Sequence, residues 1–208
     1  MVILFDFDGT IADSLTVYLA FYNQYLTKRG QETISKESFR SLGVLTLAKR
    51  HHIPKWQLFW MVLIGRQYAA RHIHEVHPFP DIREQLEKLS KKHTLGIVTS
   101  NSKRNVVSFL QKNNMTPYFS FVESKISYFG KAQKLSQVIK KYNIKIEECV
   151  YVGDETRDMV AAKKVGIGAI CVLWGFENDE LLFKCQPDIT ITKVTYLSQK
   201  LSGFFLKN

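Results

Sequence analysis

Short apolar runs that alternate with helical patterns constrain the fold of this chain more strongly than any other feature. Five mostly apolar runs predict strands buried on both faces of a parallel sheet: residues 1–5, 94–98, 119–122, 149–152 and 169–173. Four intervening segments space apolar residues by three and four and predict helices: residues 82–91, 103–112, 132–142 and 156–165. This alternation predicts an α/β fold with a doubly wound parallel sheet. We expect a further edge strand at residues 189–191 and a terminal helix at residues 196–205.

Residues 14–79 break the alternation, because they show helical patterns and no clear buried strand. Three helices are predicted there: residues 15–28, 36–50 and 55–72. Pro78 and Pro80 then disfavour helix and mark the return to the sheet. We therefore expect an α/β core of residues 1–13 and 80–208, with residues 14–79 inserted after the first strand as a small all-helical cap.

One predicted cap helix crowds Trp56, Phe59, Trp60 and Met61 together. We interpret these side chains as the core of the small helical subdomain. A substrate-gating surface or a dimer face are the alternatives. The sequence leaves open whether the protein is a monomer or a homodimer.

Composition excludes disordered and fibrous classes, since 45% of the 208 residues are hydrophobic and 23% are charged. The longest apolar stretch, residues 56–65, is about half as long as a membrane-spanning helix. The first residues lack the pattern of a secretory signal, and the three cysteines form no CxxC pair. We therefore expect reduced cysteines, no membrane partner and a cytoplasmic location.

The formal net charge is +10, but lysines and arginines are scattered in small groups beside apolar helix positions. This pattern is typical of solvated helix faces, so nucleic acid is not the expected partner. A positive field does favour small phosphorylated molecules.

Small polar residues follow three of the predicted strands, at residues 6–10, 99–101 and 153–158. Ligands of open parallel sheets bind beyond the carboxyl ends of the strands, so we expect these three segments to converge. Their convergence predicts one site at this edge of the sheet.

Paired carboxylates in these segments suit phosphoryl chemistry. Asp6 can attack phosphorus and form an aspartyl-phosphate, while Asp8 protonates the leaving oxygen and then activates water. Asp154 and Asp158 supply hard oxygen ligands for Mg²⁺, which would neutralise the gathered negative charge.

The remaining predicted contacts are with the phosphate itself. Ser100 and the backbone N–H groups around Asn101 can hold a phosphate oxygen near a helix start. Lys131 can place a cation on the transferring group, although Lys134 is an alternative.

These residues resemble, in order, the four signature motifs of the haloacid dehalogenase superfamily. FDFDGT at residues 5–10 is similar to the first motif and IVTSN at residues 97–101 to the second. The region of Lys131 is similar to the third, and YVGDETRDMVAAKKVG at residues 151–166 to the fourth. A helical cap directly after the first motif is similar to the subgroup that contains phosphoglycolate phosphatases.

The resemblance implies a phosphomonoester hydrolase with Mg²⁺ as cofactor and a small phosphorylated metabolite as substrate. Asp6 would then be both nucleophile and metal ligand, and Asp8 would lend its backbone carbonyl to the metal. Asp154 would bind the metal directly, with Asp158 in support. The residues expected to bind the phosphoryl group are Thr10, Ser100, Asn101 and Lys131.

Two other functions remain open at this stage. A phosphomutase would use Asp6 and Asp8 to return the phosphoryl group to a sugar. A non-catalytic protein would bind nucleic acid or an acidic partner through its basic surface. Phosphoglycolate, nucleotide monophosphates and sugar phosphates all remain possible substrates.

Four polar residues beside the motifs have simpler interpretations. Asp13 and Ser14 are interpreted as the N-terminal cap of the first cap helix, with approach to the substrate as the alternative. Glu155 and Arg157 are interpreted as exposed residues at a helix start.

Overall fold

The computed structural model describes residues 1–124 and 130–205. Within these residues the chain forms eight strands: β1 (Val2–Phe5), β2 (Ala12–Asp13), β3 (His77–Pro78), β4 (Thr94–Val98), β5 (Phe121–Glu123), β6 (Cys149–Gly153), β7 (Gly168–Val172) and β8 (Ile189–Ile191). It also forms nine α-helices: α1 (Leu15–Lys28), α2 (Lys36–Arg50), α3 (Lys55–Arg71), α4 (Ile82–Ser90), α5 (Lys103–Lys112), α6 (Lys131–Lys141), α7 (Thr156–Val165), α8 (Asp179–Lys184) and α9 (Leu197–Phe205).

Six strands form one sheet in the order β5-β4-β1-β6-β7-β8, and every neighbouring pair is parallel. The first strand in sequence lies in the middle, with Val2 paired to Thr94 on one side and to Cys149 on the other. Helices flank this sheet, so the predicted α/β fold with a doubly wound parallel sheet is confirmed.

The two faces of the sheet belong to separate buried clusters. Ile3 and Phe5 point into a cluster that includes residues of α4, α5 and α9, whereas Leu4 points into one that includes residues of α6, α7 and α8. Successive side chains of a strand alternate between faces, so a short run must be apolar throughout to serve both clusters. This explains why the strands could be recognised as continuous apolar runs.

The helices between β2 and β3 pack around a third cluster, which includes Leu15, Leu26, Leu47 and Met61. Helix α2 is kinked at Gly43, whose φ is +69°. Residues 12–13 and 77–78 pair as a two-stranded antiparallel ladder where the chain leaves and re-enters the sheet region. The sequence did not predict this ladder. The division into a core of residues 1–13 and 80–208 and a cap of residues 14–79 stays a prediction.

The interpretation of the aromatic cluster on α3 as cap core is wrong for three of its four residues. Trp56, Phe59 and Trp60 are 69%, 59% and 56% exposed, and only Met61 is buried. The helix carries apolar residues on two faces, and α1 covers one of them. The other face is left in solvent.

Smaller features agree with or adjust the sequence-based expectations. Strand β5 begins at Phe121 rather than at residue 119, because Thr116–Tyr118 forms a 3-10 turn that contains Pro117. Cys149 and Cys171 are buried free thiols. Among the described residues, none of the helices combines the length and apolar character needed to cross a bilayer.

Candidate active site

The carboxyl ends of the adjacent strands β4, β1 and β6 bring the three polar segments together. After β1 the chain turns at Gly9, whose φ of +75° is in the left-handed region. A β-carbon built on Gly9 would lie 2.1 Å from Oδ2 of Asp154. A glycine is therefore needed where the β1 turn approaches the carboxylate that follows β6.

Asp6 is held by donors on both carboxylate oxygens. Its Oδ1 accepts the Phe7 N–H at 2.8 Å, and its Oδ2 accepts from Lys131 Nζ at 2.6 Å. Burial alone would raise the pKa of Asp6, but the charges of Lys131 and Arg157 and these hydrogen bonds outweigh it and lower the pKa. Asp6 is thus kept ionised, as a carboxylate nucleophile must be.

Lys131 is buried between two carboxylates, because its ammonium group also contacts Asp158. Burial opposes the charged form, but the charges of Asp158 and Asp6 raise the lysine pKa well above its usual value. The alternative residue, Lys134, pairs instead with Glu123 at 2.8 Å. Of the two candidates, Lys131 is the lysine that the fold places in the site.

Asp8 has a different set of partners. Ser14 Oγ donates to its Oδ1 at 2.7 Å and Asn101 Nδ2 donates to its Oδ2 at 3.0 Å. Burial raises the pKa of Asp8, and the nearby charge of Asp6 adds to this effect against the two hydrogen bonds. The two neighbouring aspartates therefore have pKa values shifted in opposite directions, which suits one as nucleophile and the other as proton donor.

The interpretation of Asp13 and Ser14 as a helix cap needs correction. Ser14 does occupy the N-cap position of α1, but its side chain makes no capping hydrogen bond and instead donates to Asp8. Asp13 forms an ion pair with Lys36 of α2 at 2.6 Å. Ser14 lies six residues after Asp8, and the tight turn after β1 brings the two side chains together. The sequence alone gives no sign of this hydrogen bond.

Asp154 is fully buried and accepts two hydrogen bonds, from Thr10 Oγ1 and from the Phe176 N–H, each at 2.8 Å. Burial raises its pKa well above the usual value, and the charges of Glu155, Asp158 and Asp6 act in the same direction. Thr10 thus orients a carboxylate, and its expected direct contact with substrate stays a prediction.

Asp158 and Glu155 complete an acidic group with Asp6. One oxygen of each of these three residues lies within 4.8 Å of the others. Burial raises the pKa of Asp158 to about 6; Lys131 opposes this shift, while Asp6 and Glu155 reinforce it. Glu155 was interpreted as exposed, but it and Arg157 are half-buried and form an ion pair. That interpretation is wrong, because α7 begins inside the site rather than at its surface.

Mg²⁺ fits this donor set. The site gathers five carboxyl groups against two cationic side chains among the described residues: Asp6, Asp8, Asp154, Glu155 and Asp158 against Lys131 and Arg157. A hard divalent cation bound by carboxylate oxygens would offset the excess negative charge. Two of the four predicted metal residues, Asp6 and Asp158, belong to the three-residue group, whereas its third member, Glu155, was not predicted from the sequence. The metal roles of Asp8 and Asp154 stay predictions.

The predicted phosphate-binding residues lie between β4 and α5. Ser100 is half-buried, two residues after the end of β4. Asn101 donates to Asp8, and its own Oδ1 accepts from Asn105 Nδ2 at 3.2 Å. The fold therefore places Asn101 beside Asp8, with Ser100 next to it in the chain, while their contact with a phosphate stays a prediction.

A central parallel sheet with carboxylates gathered beyond β1 and β6 defines a doubly wound α/β protein with an acidic site at the carboxyl ends of its strands. The family model for haloacid dehalogenase-like hydrolases matches residues 3–172, and the chain belongs to this family. It is 32% identical over 190 residues to a phosphoglycolate phosphatase of Synechococcus elongatus, covering 89% of this chain and 90% of that protein. It is also 23% identical to pyrophosphatase PpaX of Oceanobacillus iheyensis, covering 92% of each chain.

A solved structure shares the whole architecture. A haloacid dehalogenase-like family hydrolase from Streptococcus pneumoniae superimposes with a TM-score of 0.77 at 25% identity, covering 98% of this chain and 97% of that one. Together with the relatives above, this identifies the protein as a phosphatase of the haloacid dehalogenase-like family.

Proposed function

We propose that the protein hydrolyses a small phosphomonoester through an aspartyl-phosphate on Asp6, with Mg²⁺ as cofactor. The observation that carries the proposal is the unequal bonding of two neighbouring carboxyls. Asp6 accepts from the Lys131 ammonium at 2.6 Å, whereas Asp8 accepts from the neutral donors Ser14 and Asn101. A cation keeps Asp6 ionised, while Asp8 remains free to gain and lose a proton.

In the first step, a carboxylate oxygen of Asp6 attacks phosphorus and the bond from phosphorus to the ester oxygen breaks. The carboxyl group of Asp8 gives its proton to the departing oxygen. In the second step, Asp8 takes a proton from water as the water oxygen attacks phosphorus and the bond from phosphorus to the Asp6 oxygen breaks. Inorganic phosphate leaves, and both aspartates return to their starting states.

Asp6, Glu155 and Asp158 would hold Mg²⁺ through oxygens within 4.8 Å of one another. Asp154 and the backbone carbonyl of Asp8 are the further ligands proposed from the sequence. When bound, the ion supplies positive charge that neutralises the phosphoryl oxygens and the nucleophile. Lys131 adds a second positive charge from this chain itself. Ser100, which precedes Asn101 in the chain, is proposed to hold a phosphoryl oxygen.

The substrate class proposed is a small phosphorylated metabolite, with phosphoglycolate as the first candidate. Support comes from the phosphoglycolate phosphatase of Synechococcus elongatus, which is similar over nearly the full length of both chains. The relative named for pyrophosphate cleavage shows that the family fold alone does not choose the substrate. A cytoplasmic location is part of the same proposal.

The test measures inorganic phosphate released from phosphoglycolate, sugar phosphates and nucleotide monophosphates, with Mg²⁺ or with EDTA. Native protein is expected to turn over at least one substrate only with Mg²⁺, and Asp6→Asn is expected to lose that activity. Asp179→Asn is the matched control, because Asp179 lies on the surface at the start of α8. Turnover by Asp6→Asn equal to that of native protein would refute the aspartyl-phosphate mechanism.

A further inference from the structure

The outward face of α3 is an apolar stripe with no protein against it among the described residues. Its members, Trp56, Phe59, Trp60, Leu63 and Ile64, are all exposed. Their spacing of three and four residues places them along one side of the helix. Isolated exposed apolar residues are ordinary, but five in one contiguous stripe are typical of an interaction surface.

The stripe is not needed to fold the helical region. Met61 and Ala69 on the opposite side of α3 are buried. Gly65 on that side lies so close to α1 that an added β-carbon would sit 3.2 Å from the Phe21 ring. One face of α3 therefore packs against α1, and the other face has no packing partner among the described residues.

The segment that carries the stripe contains cations and no acidic side chains. Residues 38–74 include six lysines and arginines and no aspartate or glutamate. Four of these cations are exposed near the ends of α2 and α3: Lys49, Arg50, Lys55 and Arg71. The surface thus combines large apolar side chains with unbalanced positive charge, and an anionic occupant complements it.

A second copy of this chain complements the surface less well than an anionic bilayer does. Two α3 faces packed on each other would bring cations against cations, since a two-fold contact uses the same patch twice. The rest of the chain has 29 − 6 = 23 lysines and arginines and 19 acidic residues, so it is also positive by 4. A second copy as a whole therefore carries net charge of the same sign as the stripe's surroundings.

The stripe also suits lipid better than nucleic acid. Bases stack on aromatic rings, but Leu63 and Ile64 offer no ring for stacking. The boundary between headgroups and acyl chains accepts aromatic and aliphatic side chains alike, while lysines and arginines meet the lipid phosphates.

We propose that the outward face of α3 docks on a bilayer surface that contains anionic phospholipid, with the helix axis parallel to the membrane. The stripe enters the headgroup boundary and the exposed cations contact phosphates around it. The helix does not span the bilayer, in keeping with its length. The proposal departs from the sequence-based expectation of no membrane partner and does not depend on the proposed chemistry.

The test is co-sedimentation of the full chain with vesicles of phosphatidylcholine alone or mixed with phosphatidylglycerol. The double variant Phe59→Gln/Trp60→Gln removes two members of the stripe but keeps residues compatible with a helix. Phe183→Gln is the matched control, because Phe183 is 51% exposed on α8, away from the stripe. Circular dichroism and melting temperature establish that each variant is folded.

Native protein and the control are expected to bind the anionic vesicles, more weakly at high salt, with a blue shift in tryptophan emission. The double variant is expected to bind roughly tenfold or more weakly. Equal binding by the double variant, or no binding by native protein, would overturn the proposal. A native dimer that the double variant dissociates, without vesicle binding, would assign the face to a second copy. Binding to a single-stranded oligonucleotide but not to vesicles would assign it to nucleic acid.

Discussion

Because Gly9 has no side chain, the turn after β1 can approach Asp154 closely. Gly9→Ala would combine a φ of +75° with a β-carbon 2.1 Å from a buried carboxylate oxygen. We expect the variant to lose roughly 3 kcal/mol of unfolding free energy and nearly all activity, since Asp154 has no space to retreat. Urea denaturation and phosphate release measure the two effects.

Gly30 provides the matched control for Gly9. Its φ is also positive, at +66°, but a β-carbon there would meet nothing within 4 Å. Gly30→Ala therefore reports the backbone strain alone, which costs roughly 1 kcal/mol. Similar losses in the two variants would mean that the contact with Asp154 contributes nothing.

The two candidate lysines are separated by a pair of matching substitutions. Lys131→Gln leaves Asp6 and Asp158 buried without their shared cation, so we expect at least a roughly 1000-fold loss of kcat. Lys134→Gln removes only a pair with Glu123 and is expected to keep kcat within about threefold. Steady-state kinetics with Mg²⁺ distinguishes the two. The opposite ranking would return the catalytic role to Lys134.

Sequence predicted which residues converge where their position follows from the end of a strand. Asp6, Asp8 and Asp154 could be found because parallel strands must end at one edge of the sheet. Ser14 and Glu155 were misread because their contacts depend on how the turn after β1 and the start of α7 are oriented in space. A pattern along the chain does not contain that orientation.

At the scale of elements, Glu123 ties the end of β5 to helix α6. Burial alone would raise its pKa, but hydrogen bonds from Lys134, Lys141 and Tyr142 outweigh burial and lower the pKa to about 2 from its usual 4.5. Because the folded pKa is the lower one, this contribution is present above pH 4.5 and is lost as the pH falls toward 2. Because Lys141 is largely exposed and water screens its charge, we expect Glu123→Gln to lose roughly 1 kcal/mol at neutral pH.

The measurement for Glu123 is the unfolding free energy of native protein and variant at a series of pH values. The difference between them is expected to shrink as the pH is lowered from 4.5. Lys141→Gln is a weaker companion variant, because Lys141 is largely exposed. A difference that stays constant down to the lowest pH at which both fold would contradict the prediction.

Prediction of elements succeeded for the sheet and failed for one helical face. A strand between two layers must be apolar on both sides, so its pattern has one interpretation. Helix α3 is also apolar on two sides, and the sequence does not say how many neighbours cover it. Its buried Met61 and its exposed Trp60 are adjacent in the chain and alike in apolar character. Only the packing of α1 on one side separates them.

At the scale of the whole molecule, a site with excess negative charge sits inside a chain of formal charge +10. The positive surface favours the approach of a phosphorylated substrate, while the buried carboxyls favour a cation. Burial and the charges of Glu155, Asp158 and Asp6 raise the pKa of Asp154. Because its folded pKa is above the unfolded one, ionised Asp154 costs the protein stability at neutral pH. The site is therefore expected to trade stability for function.

This trade predicts an unusual result for Asp154→Asn. The amide oxygen can still accept the Phe176 N–H, and the amide N–H₂ can donate to Thr10 Oγ1, so both contacts survive without the charge. In EDTA we expect the variant to be more stable than native protein by about 1–3 kcal/mol. Mg²⁺ is expected to raise the melting temperature of native protein and to leave that of the variant nearly unchanged. Calorimetry with and without Mg²⁺ measures both the stability in EDTA and the shift in melting temperature, with Asp179→Asn as the surface control. An Asp154→Asn variant less stable than native protein in EDTA would show that the charge of Asp154 is already compensated within the chain.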